Sequence, residues 1–119
     1  MIRLIRCLKR RGDISTQEFR RFWQQPEYEA MLRGLADLSG AVRHVSNLTF
    51  AIDINEQLTQ FHGTLEPYDG VVEFWWTNAQ SVVASMDSEE GISCRDELLA
   101  FEDQFVDRGQ SRYFFTECD

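Results

Sequence analysis

The sequence predicts an α+β fold whose elements follow the order β-α-β-β-α-β. Three observations support this order: an alternating strand pattern near the N-terminus, a turn that leads into a strand in PYDGVVEFWW, and a helix followed by a strand in FEDQFVDRGQSRYFFTEC. A chain of 119 residues can bury one ordinary hydrophobic core without disulfide bonds. We therefore expect one domain that spans residues 1–119.

The first element is a strand over residues 2–9. One of its faces is apolar except for a single arginine, since it carries Ile2, Leu4, Arg6 and Leu8. The opposite face alternates between basic and smaller apolar side chains. The pattern predicts a strand that covers a core on one side.

The first helix is expected to begin after Ser15 and to be interrupted by Pro26. Ser15 and Glu18 have the spacing of a capping box, in which each side chain accepts a hydrogen bond from the other residue's backbone. Pro26 has no amide hydrogen and its ring crowds the preceding turn, so we expect a kink or a restart there. The helix then continues to Ser39, and Gly40 provides a left-handed cap.

The central part of the chain contains two predicted strands, Ala41–Phe50 and Gly70–Trp76. A polar connection of uncertain structure, Ile52–Pro67, lies between them. Both faces of the later strand are largely apolar. One face carries Val71, Glu73 and Trp75, and the other carries Val72, Phe74 and Trp76. The strand therefore belongs to a sheet that is covered by helices on one side and by something else on the other.

The C-terminal part is predicted as a helix, a break and a second helix before the last strand. Asn78 can cap the first of these helices. The break falls at residues 88–91, and an apolar set at helical spacing follows from Leu98 to Phe105. The last strand is expected at Ser111–Glu117.

The charge of the chain argues against two classes of partner. The net charge is −8, with 12 basic and 20 acidic side chains. An acidic surface repels the phosphates of nucleic acids and of anionic membranes, so we expect neither as a partner. The charge is uneven, because residues 1–43 carry nine basic and five acidic side chains whereas residues 44–119 carry three and fifteen. The two halves can attract each other within or between subunits, although such charges are usually solvated surface groups of small energy.

Cofactor motifs are not found in the sequence. Cys7, Cys94 and Cys118 form neither a CxxC pair nor a metal-ligand spacing, and sparse, odd-numbered cysteines are typical of a reducing cytosol. The N-terminus lacks a signal-peptide pattern, and no apolar run is long enough to span a membrane. No phosphate-binding glycine loop occurs. We expect a cytoplasmic protein without a metal, nucleotide or flavin cofactor.

Three segments resemble the EthD family. The opening MIRLIRCLKRRGDISTQEFRRFW is similar to the family's first strand, charged turn and helix with an FRxxW-type core. PYDGVVEFWW is similar to its third-strand motif, and FEDQFVDRGQSRYFF to its C-terminal helix and strand. The resemblance implies a ferredoxin-like sandwich that pairs face to face with a second copy to form a dimeric α/β barrel. We therefore expect a homodimer.

The resemblance also implies a class of activity. The family is named for a gene cluster of ethyl tert-butyl ether degradation, and its wider group includes cofactor-independent monooxygenases, polyketide cyclases, decarboxylases and lactone isomerases with an apolar pocket. Many family members have a histidine four residues after the tryptophan of the first helix. Here Glu27 stands four residues after Trp23, and Pro26 precedes it. A carboxylate can take a proton there only if burial raises its pKa toward neutrality.

Two further residues are candidates for proton transfer. His44 lies on a strand face beside Val42 and Ser46, from which it can enter a pocket or serve as a structural residue. Glu73 lies in an apolar run, where a carboxylate needs a partner. It either forms an ion pair with an arginine of a neighbouring strand, such as Arg6 or Arg112, or it is a polar group of the pocket.

The expected function is that of a cofactor-independent enzyme acting on a small apolar or aromatic metabolite. Proton transfer, isomerisation, cyclisation, decarboxylation or oxygenation in catabolism or polyketide-type metabolism would suit Glu27, His44 and Glu73 as catalytic groups. Aromatic residues make up 13% of the chain, which indicates an apolar pocket, an apolar interface or a ring-rich core. The predicted pocket residues are Phe19, Trp23, Tyr68 and Trp75. The alternatives are a non-catalytic protein that binds a hydrophobic ligand and a dimer packed with aromatic rings.

Overall fold

The computed structural model describes residues 1–118 and contains one antiparallel sheet of four strands. The order of the strands across the sheet is β2-β3-β1-β4. This order, with helices in both crossover connections, is the ferredoxin-like arrangement, and the predicted α+β fold is confirmed. The strands are β1 Ile2–Leu8, β2 Arg43–Leu48, β3 Gly70–Trp76 and β4 Arg112–Glu117.

Within residues 1–118, five α-helices accompany the sheet. A single turn of 3₁₀-helix at Arg108–Gln110 leads into β4. No helix in the described part of the chain is both long enough and apolar enough to cross a membrane. The helices are α1 Thr16–Trp23, α2 Pro26–Ser39, α3 Asp53–His62, α4 Gln80–Asp87 and α5 Glu89–Glu102.

The predicted signals at the first helix pair are confirmed. Ser15 and Glu18 form the capping box at the start of α1. Pro26 is the first residue of α2, where its missing amide hydrogen costs nothing and its fixed φ suits a helix. Gly40 ends α2 with a φ of 74°, in the left-handed region that favours glycine.

The connection after β2 differs from the prediction, because it contains α3. None of the side chains of α3 is buried, and its first residue follows Ile52, which supplies no side-chain cap. A helix without a cap or a buried stripe gives a weak signal in the sequence. Gly63, with a φ of 63°, ends the helix.

The break between α4 and α5 falls at Ser88. The Ser88 hydroxyl accepts a hydrogen bond from the Gly91 amide at 3.0 Å and so caps α5. The predicted cap at Asn78 is displaced by one residue, since Ala79 holds the N-cap position of α4. Asn78 still accepts a hydrogen bond from the amide of Gln80, the first residue of α4, at 3.0 Å.

The two faces of the sheet have different surroundings. Val72, Phe74 and Trp76 are buried against the helices and belong to the hydrophobic core. Val71, Glu73 and Trp75 point to the opposite face, which no helix covers and which is half-buried. We call this second face, formed by alternate residues of all four strands, the open sheet face.

Candidate functional site

A cavity of about 420 Å³ lies between the helix-covered face of the sheet and helices α2, α4 and α5. Its wall is almost wholly apolar, and its volume lies within the range of small-molecule sites, roughly 300–1,000 Å³. Leucine and aromatic side chains dominate the wall, among them Leu4, Phe74, Trp76, Leu98 and Phe115. We call it the sheet–helix cavity.

A buried polar network adjoins the sheet–helix cavity. Arg6, whose side chain forms part of the cavity wall, donates two hydrogen bonds to the carboxylate of Glu102 at 2.8 and 2.5 Å. The Tyr28 hydroxyl donates a third hydrogen bond to Glu102 at 2.6 Å. All three residues are at least 94% buried, since Arg6 is 6%, Glu102 2% and Tyr28 1% exposed. The network therefore holds a positively charged side chain in a fixed position beside an apolar cavity.

The network determines the protonation of two of its members. Burial alone would lower the pKa of Arg6, but the carboxylate of Glu102 outweighs this effect, so the pKa is raised and the guanidinium stays charged. Burial raises the pKa of Tyr28, and the negative charge of Glu102 raises it further. Tyr28 is therefore a neutral hydrogen-bond donor at any physiological pH.

Tyr113 completes the polar side of the cavity. The guanidinium carbon of Arg6 lies 5.1 Å from the centre of the Tyr113 ring, a cation–π distance. Burial raises the pKa of Tyr113, although Arg6 opposes part of this shift. The phenol of Tyr113 is consequently protonated near neutral pH and can donate a hydrogen bond to a bound molecule.

The three residues predicted for proton transfer lie apart from one another. Glu27 is exposed in the first turn of α2, where the helix dipole favours a carboxylate. His44 lies on the helix-covered side of β2, with Nε2 3.3 Å from Glu29 Oε1, and its ring stacks on Phe74 with centroids 6.0 Å apart. Neither Glu27, His44 nor Glu73 lines the sheet–helix cavity. Phe74, on which the His44 ring stacks, does line it.

Glu73 has a different partner from those predicted. It points from β3 to the open sheet face, where its Oε1 lies 3.6 Å from Arg3 Nη1. The predicted ion pair with an arginine of a neighbouring strand is therefore present, but neither of the two arginines named for it, Arg6 and Arg112, forms it. Arg6 points to the other face of β1, and Arg112 belongs to β4, which is separated from β3 by the whole of β1. Arg3 reaches it diagonally from β1, where it stands opposite Trp75.

The four aromatic residues predicted to line a pocket are divided among three places. Phe19 and Trp23 are buried in the core, and the six-membered part of the Trp23 ring lies so close to Gly70 that a Cβ there would approach it to 2.5 Å. Trp75 lies on the open sheet face, with the guanidinium carbons of Arg3 and Arg43 at 5.7 and 4.8 Å from its ring. Tyr68 is half-buried at the start of β3.

Phe19 and Tyr68 line a second cavity, of about 560 Å³, beneath α3. Its wall mixes both signs of charge with polar side chains, and it opens widely to solvent. An apolar molecule would gain less from this cavity than from the sheet–helix cavity, because less apolar surface is removed from water there. We therefore assign the candidate site to the sheet–helix cavity.

Sequence reasoning missed the residues at the centre of this site, namely Arg6, Tyr28 and Glu102. A signal for two of them was present. Arg6 interrupts the apolar face of β1, and Glu102 interrupts the apolar stripe of α5. An arginine and a glutamate that each occur once on otherwise apolar faces indicate a buried pair. No such signal marked Tyr28, because a tyrosine on a helix is compatible with many surroundings.

No group of three or more histidine, cysteine, aspartate or glutamate side chains is arranged to hold a metal ion within residues 1–118. The three cysteines are unpaired there, and all are half-buried. The polar groups around the sheet–helix cavity are hydrogen-bond donors rather than metal ligands, because guanidinium groups and a neutral phenol do not coordinate metals under these conditions.

Comparison with known proteins agrees with the fold. The family model of the EthD domain matches residues 11–109. The chain belongs to the EthD family. No functionally curated protein matches the chain significantly.

Solved structures of other proteins share the architecture. An ethyl tert-butyl ether degradation (EthD) family protein from Bacillus halodurans is 14% identical, with a TM-score of 0.62 over 100% of this chain and 99% of the other. A dimeric protein with a ferredoxin-like fold from Bacteroides fragilis is 11% identical, with a TM-score of 0.63 over 98% and 95% of the two chains. SnoaB, a cofactor-independent oxygenase from Streptomyces nogalater, is 13% identical, with a TM-score of 0.58 over 98% and 91%. At these identities the likeness concerns the fold.

Proposed function

We propose that this EthD-family protein is an enzyme that takes a small apolar or aromatic metabolite into the sheet–helix cavity and acts on it without a resident cofactor. The observation that supports this proposal is the combination of an apolar cavity with a buried, charged arginine in its wall. A buried ion pair contributes little to stability compared with apolar residues of the same volume. The position of the Arg6–Glu102 pair beside a cavity is therefore better explained by a role in function than by a contribution to stability.

The chemistry available to the cavity is the stabilisation of negative charge on oxygen. Arg6 is fixed by Glu102, and Tyr113 can donate a hydrogen bond from the cavity rim. Donors held in place in an apolar site stabilise an enolate or phenolate as it forms. Such a site suits isomerisation, cyclisation, decarboxylation or oxygenation of an electron-rich ring, and SnoaB shows that an oxygenase without a cofactor can be built on this fold.

His44 is the proposed proton acceptor among the three predicted groups. It is separated from the cavity by the ring of Phe74, whereas Glu27 is on the protein surface and Glu73 is on the other face of the sheet. Glu29 orients the imidazole through the contact at Nε2. A proton could pass to His44 through a water molecule or after a small rotation of the Phe74 ring.

The second candidate function is non-catalytic binding of a hydrophobic ligand. Among residues 1–118, the wall of the sheet–helix cavity contains no carboxylate and no imidazole. A site without a general base binds a ligand as well as a site with one. Turnover, not binding, distinguishes the two functions.

The protein is also proposed to form a homodimer through the open sheet face. Its relatives from Bacteroides fragilis and Jannaschia are described as dimeric. The open sheet face carries apolar side chains that no helix covers, including Ile5, Val45, Val71, Trp75 and Phe114. A second sheet packed on this face would bury them.

The proposal is tested by filling the cavity. Ser85 lines the cavity on α4, and Ser85→Trp places an indole in the space that a ligand would occupy. We expect wild-type protein to bind naphthalene-sized aromatic compounds in calorimetric titrations, and to convert at least one of a panel of phenols and β-keto compounds, followed by mass spectrometry and oxygen consumption. Ser85→Trp should lose both binding and conversion.

The control is Ala84→Trp, because Ala84 is the neighbouring residue on α4 but is exposed and does not line the cavity. It should bind and convert as the wild type does. Binding that survives Ser85→Trp unchanged would contradict the assignment of the site. Binding without conversion of any compound would favour the non-catalytic function.

A further inference from the structure

The wall of the sheet–helix cavity has only basic side chains among the charged groups that line it in the described residues. It includes Arg6, Arg95 and Arg108 but no carboxylate among the described residues. This is unexpected in a chain with 20 acidic and 12 basic side chains. The cavity beneath α3, by contrast, has carboxylates beside its basic residues. The charge that this wall offers a ligand therefore depends on how far carboxylates outside the wall neutralise each arginine.

The three arginines differ in how far neighbouring carboxylates neutralise them. Arg6 is paired with Glu102, and Arg108 donates to both oxygens of Asp103 at 2.7 and 2.6 Å. Arg95 has only Asp96, whose Oδ1 lies 3.8 Å from Nε, beyond hydrogen-bond distance. Arg95 is half-exposed and retains its donors for a ligand.

The two serines in the cavity wall have no hydrogen left to donate to a ligand, because each hydroxyl donates to a backbone carbonyl. The Ser39 hydroxyl accepts from the Trp76 indole at 3.1 Å and donates to the Leu35 carbonyl at 2.8 Å. The Ser85 hydroxyl donates to the Val82 carbonyl at 2.8 Å. A bound molecule thus meets an apolar wall in which the side-chain hydrogens left for bonding belong to arginine and to Tyr113.

We infer that the ligand of this cavity is an apolar or aromatic anion, with a carboxylate or phenolate oxygen bound by the guanidinium of Arg95 and a ring system packed against Tyr113 and Phe115. The inference rests on the proposed function, because it specifies the chemical class of the molecule that the same cavity takes. Guanidinium binds a carboxylate through two parallel hydrogen bonds, which fixes the orientation of the ligand as well as its charge.

Two probes of the same shape test the inference. β-Naphthoate carries a carboxylate, and β-acetonaphthone replaces it by a neutral ketone. Calorimetric titration of wild-type protein should give about tenfold tighter binding of the naphthoate, the order expected for charge-assisted hydrogen bonding at a half-exposed arginine. In Arg95→Met, which keeps an apolar stem of similar length, this preference should disappear while binding of the ketone changes less than about twofold.

The matched control is Arg21→Met, since Arg21 is an exposed arginine on α1 outside the cavity. It removes the same charge from the protein and should leave the preference intact. Ser85→Trp should abolish binding of both probes and so locate them in the cavity.

Equal affinities of the wild type for the two probes, or an unchanged preference in Arg95→Met, would overturn the inference and leave the proposed function standing. If neither probe bound to the wild type, the proposed function would fail, and the inference with it. If Arg21→Met lost the preference for the naphthoate as fully as Arg95→Met, the overall charge of the protein and not Arg95 would attract the anion. This result would also overturn the inference.

Discussion

Glu102 is the residue on which the buried polar network depends. It accepts hydrogen bonds from Arg6 and Tyr28, which come from β1 and α2, and it lies at the end of α5. One carboxylate thereby links three elements that are distant in sequence. Two buried charges are tolerated in the core because each satisfies the other and the Tyr28 hydroxyl fills a remaining acceptor position.

Replacing Glu102 by glutamine should strongly destabilise the protein. The amide keeps the shape of the side chain but leaves Arg6 as a buried charge without a counterion. Breaking such a pair on one side costs about 3–5 kcal/mol of the free energy of unfolding. Urea unfolding followed by circular dichroism measures this change.

Glu97→Gln provides the control, because Glu97 is an exposed glutamate on the same helix. It should change the free energy of unfolding by less than about 0.5 kcal/mol. A loss as small as this in Glu102→Gln would show that Arg6 is compensated by other groups or by water.

At the scale of elements, the junction of α4 and α5 is constrained by a close backbone approach. A Cβ on Gly91 would lie 1.7 Å from the carbonyl oxygen of Ser85. Gly91 is therefore required by the space between two helices and not by its own backbone dihedral angles. Since Gly91 and Ser85 both line the sheet–helix cavity, the same contact sets the shape of the candidate site.

Gly91→Ala should push α4 away from α5. Overpacking of this kind costs about 1–3 kcal/mol or more, and it should also weaken binding of aromatic compounds in the cavity. Thermal unfolding and calorimetric titration measure the two effects.

Gly34→Ala is the matched control, because Gly34 lies inside α2 with nothing within 4 Å of a Cβ added there. Alanine should stabilise this helix by about 0.5–1 kcal/mol. If Gly91→Ala were also neutral or stabilising, α4 and α5 would be able to separate without a loss in the free energy of unfolding, and the prediction would be wrong.

At the scale of the whole molecule, the open sheet face is the surface that the fold leaves uncovered. Arg3 and Arg43 flank Trp75 across three strands, and Glu73 lies beside them. These groups combine an aromatic ring with both signs of charge, as interfaces between subunits do.

We expect a dimer in light scattering at micromolar concentration, with a total buried area in or above the standard range of about 1,200–2,000 Å². Val71 lies on the central strand of the open sheet face. Val71→Glu would add a second carboxylate beside Glu73 in each subunit, and should give a monomer that remains folded.

Val83→Glu is the corresponding control on α4, where Val83 is 56% exposed on the helix side of the molecule. It should leave the dimer intact. A wild-type protein that is monomeric at these concentrations would contradict the dimer, and dissociation by Val83→Glu instead of Val71→Glu would place the interface on the helices.

Much of the fold could be predicted from the sequence, because its signals are local. The capping box at Ser15, the proline at the start of α2 and the glycine at its end each act through neighbouring backbone groups. Gly70–Trp76 was predicted with its observed bounds, since alternating apolar side chains need no knowledge of the partner strands. α3 was missed because it has neither a side-chain cap nor a buried face.

The candidate site depended on tertiary structure. Arg6 and Glu102 are 96 residues apart, and only the packing of α5 on the sheet brings them together. The sequence by itself determined that β3 has two apolar faces, but not which face the helices cover. That choice follows from the direction in which the crossover helices pack on the twisted sheet, and it places Phe74 at the cavity and Glu73 on the open sheet face, because successive side chains of a strand point to opposite sides.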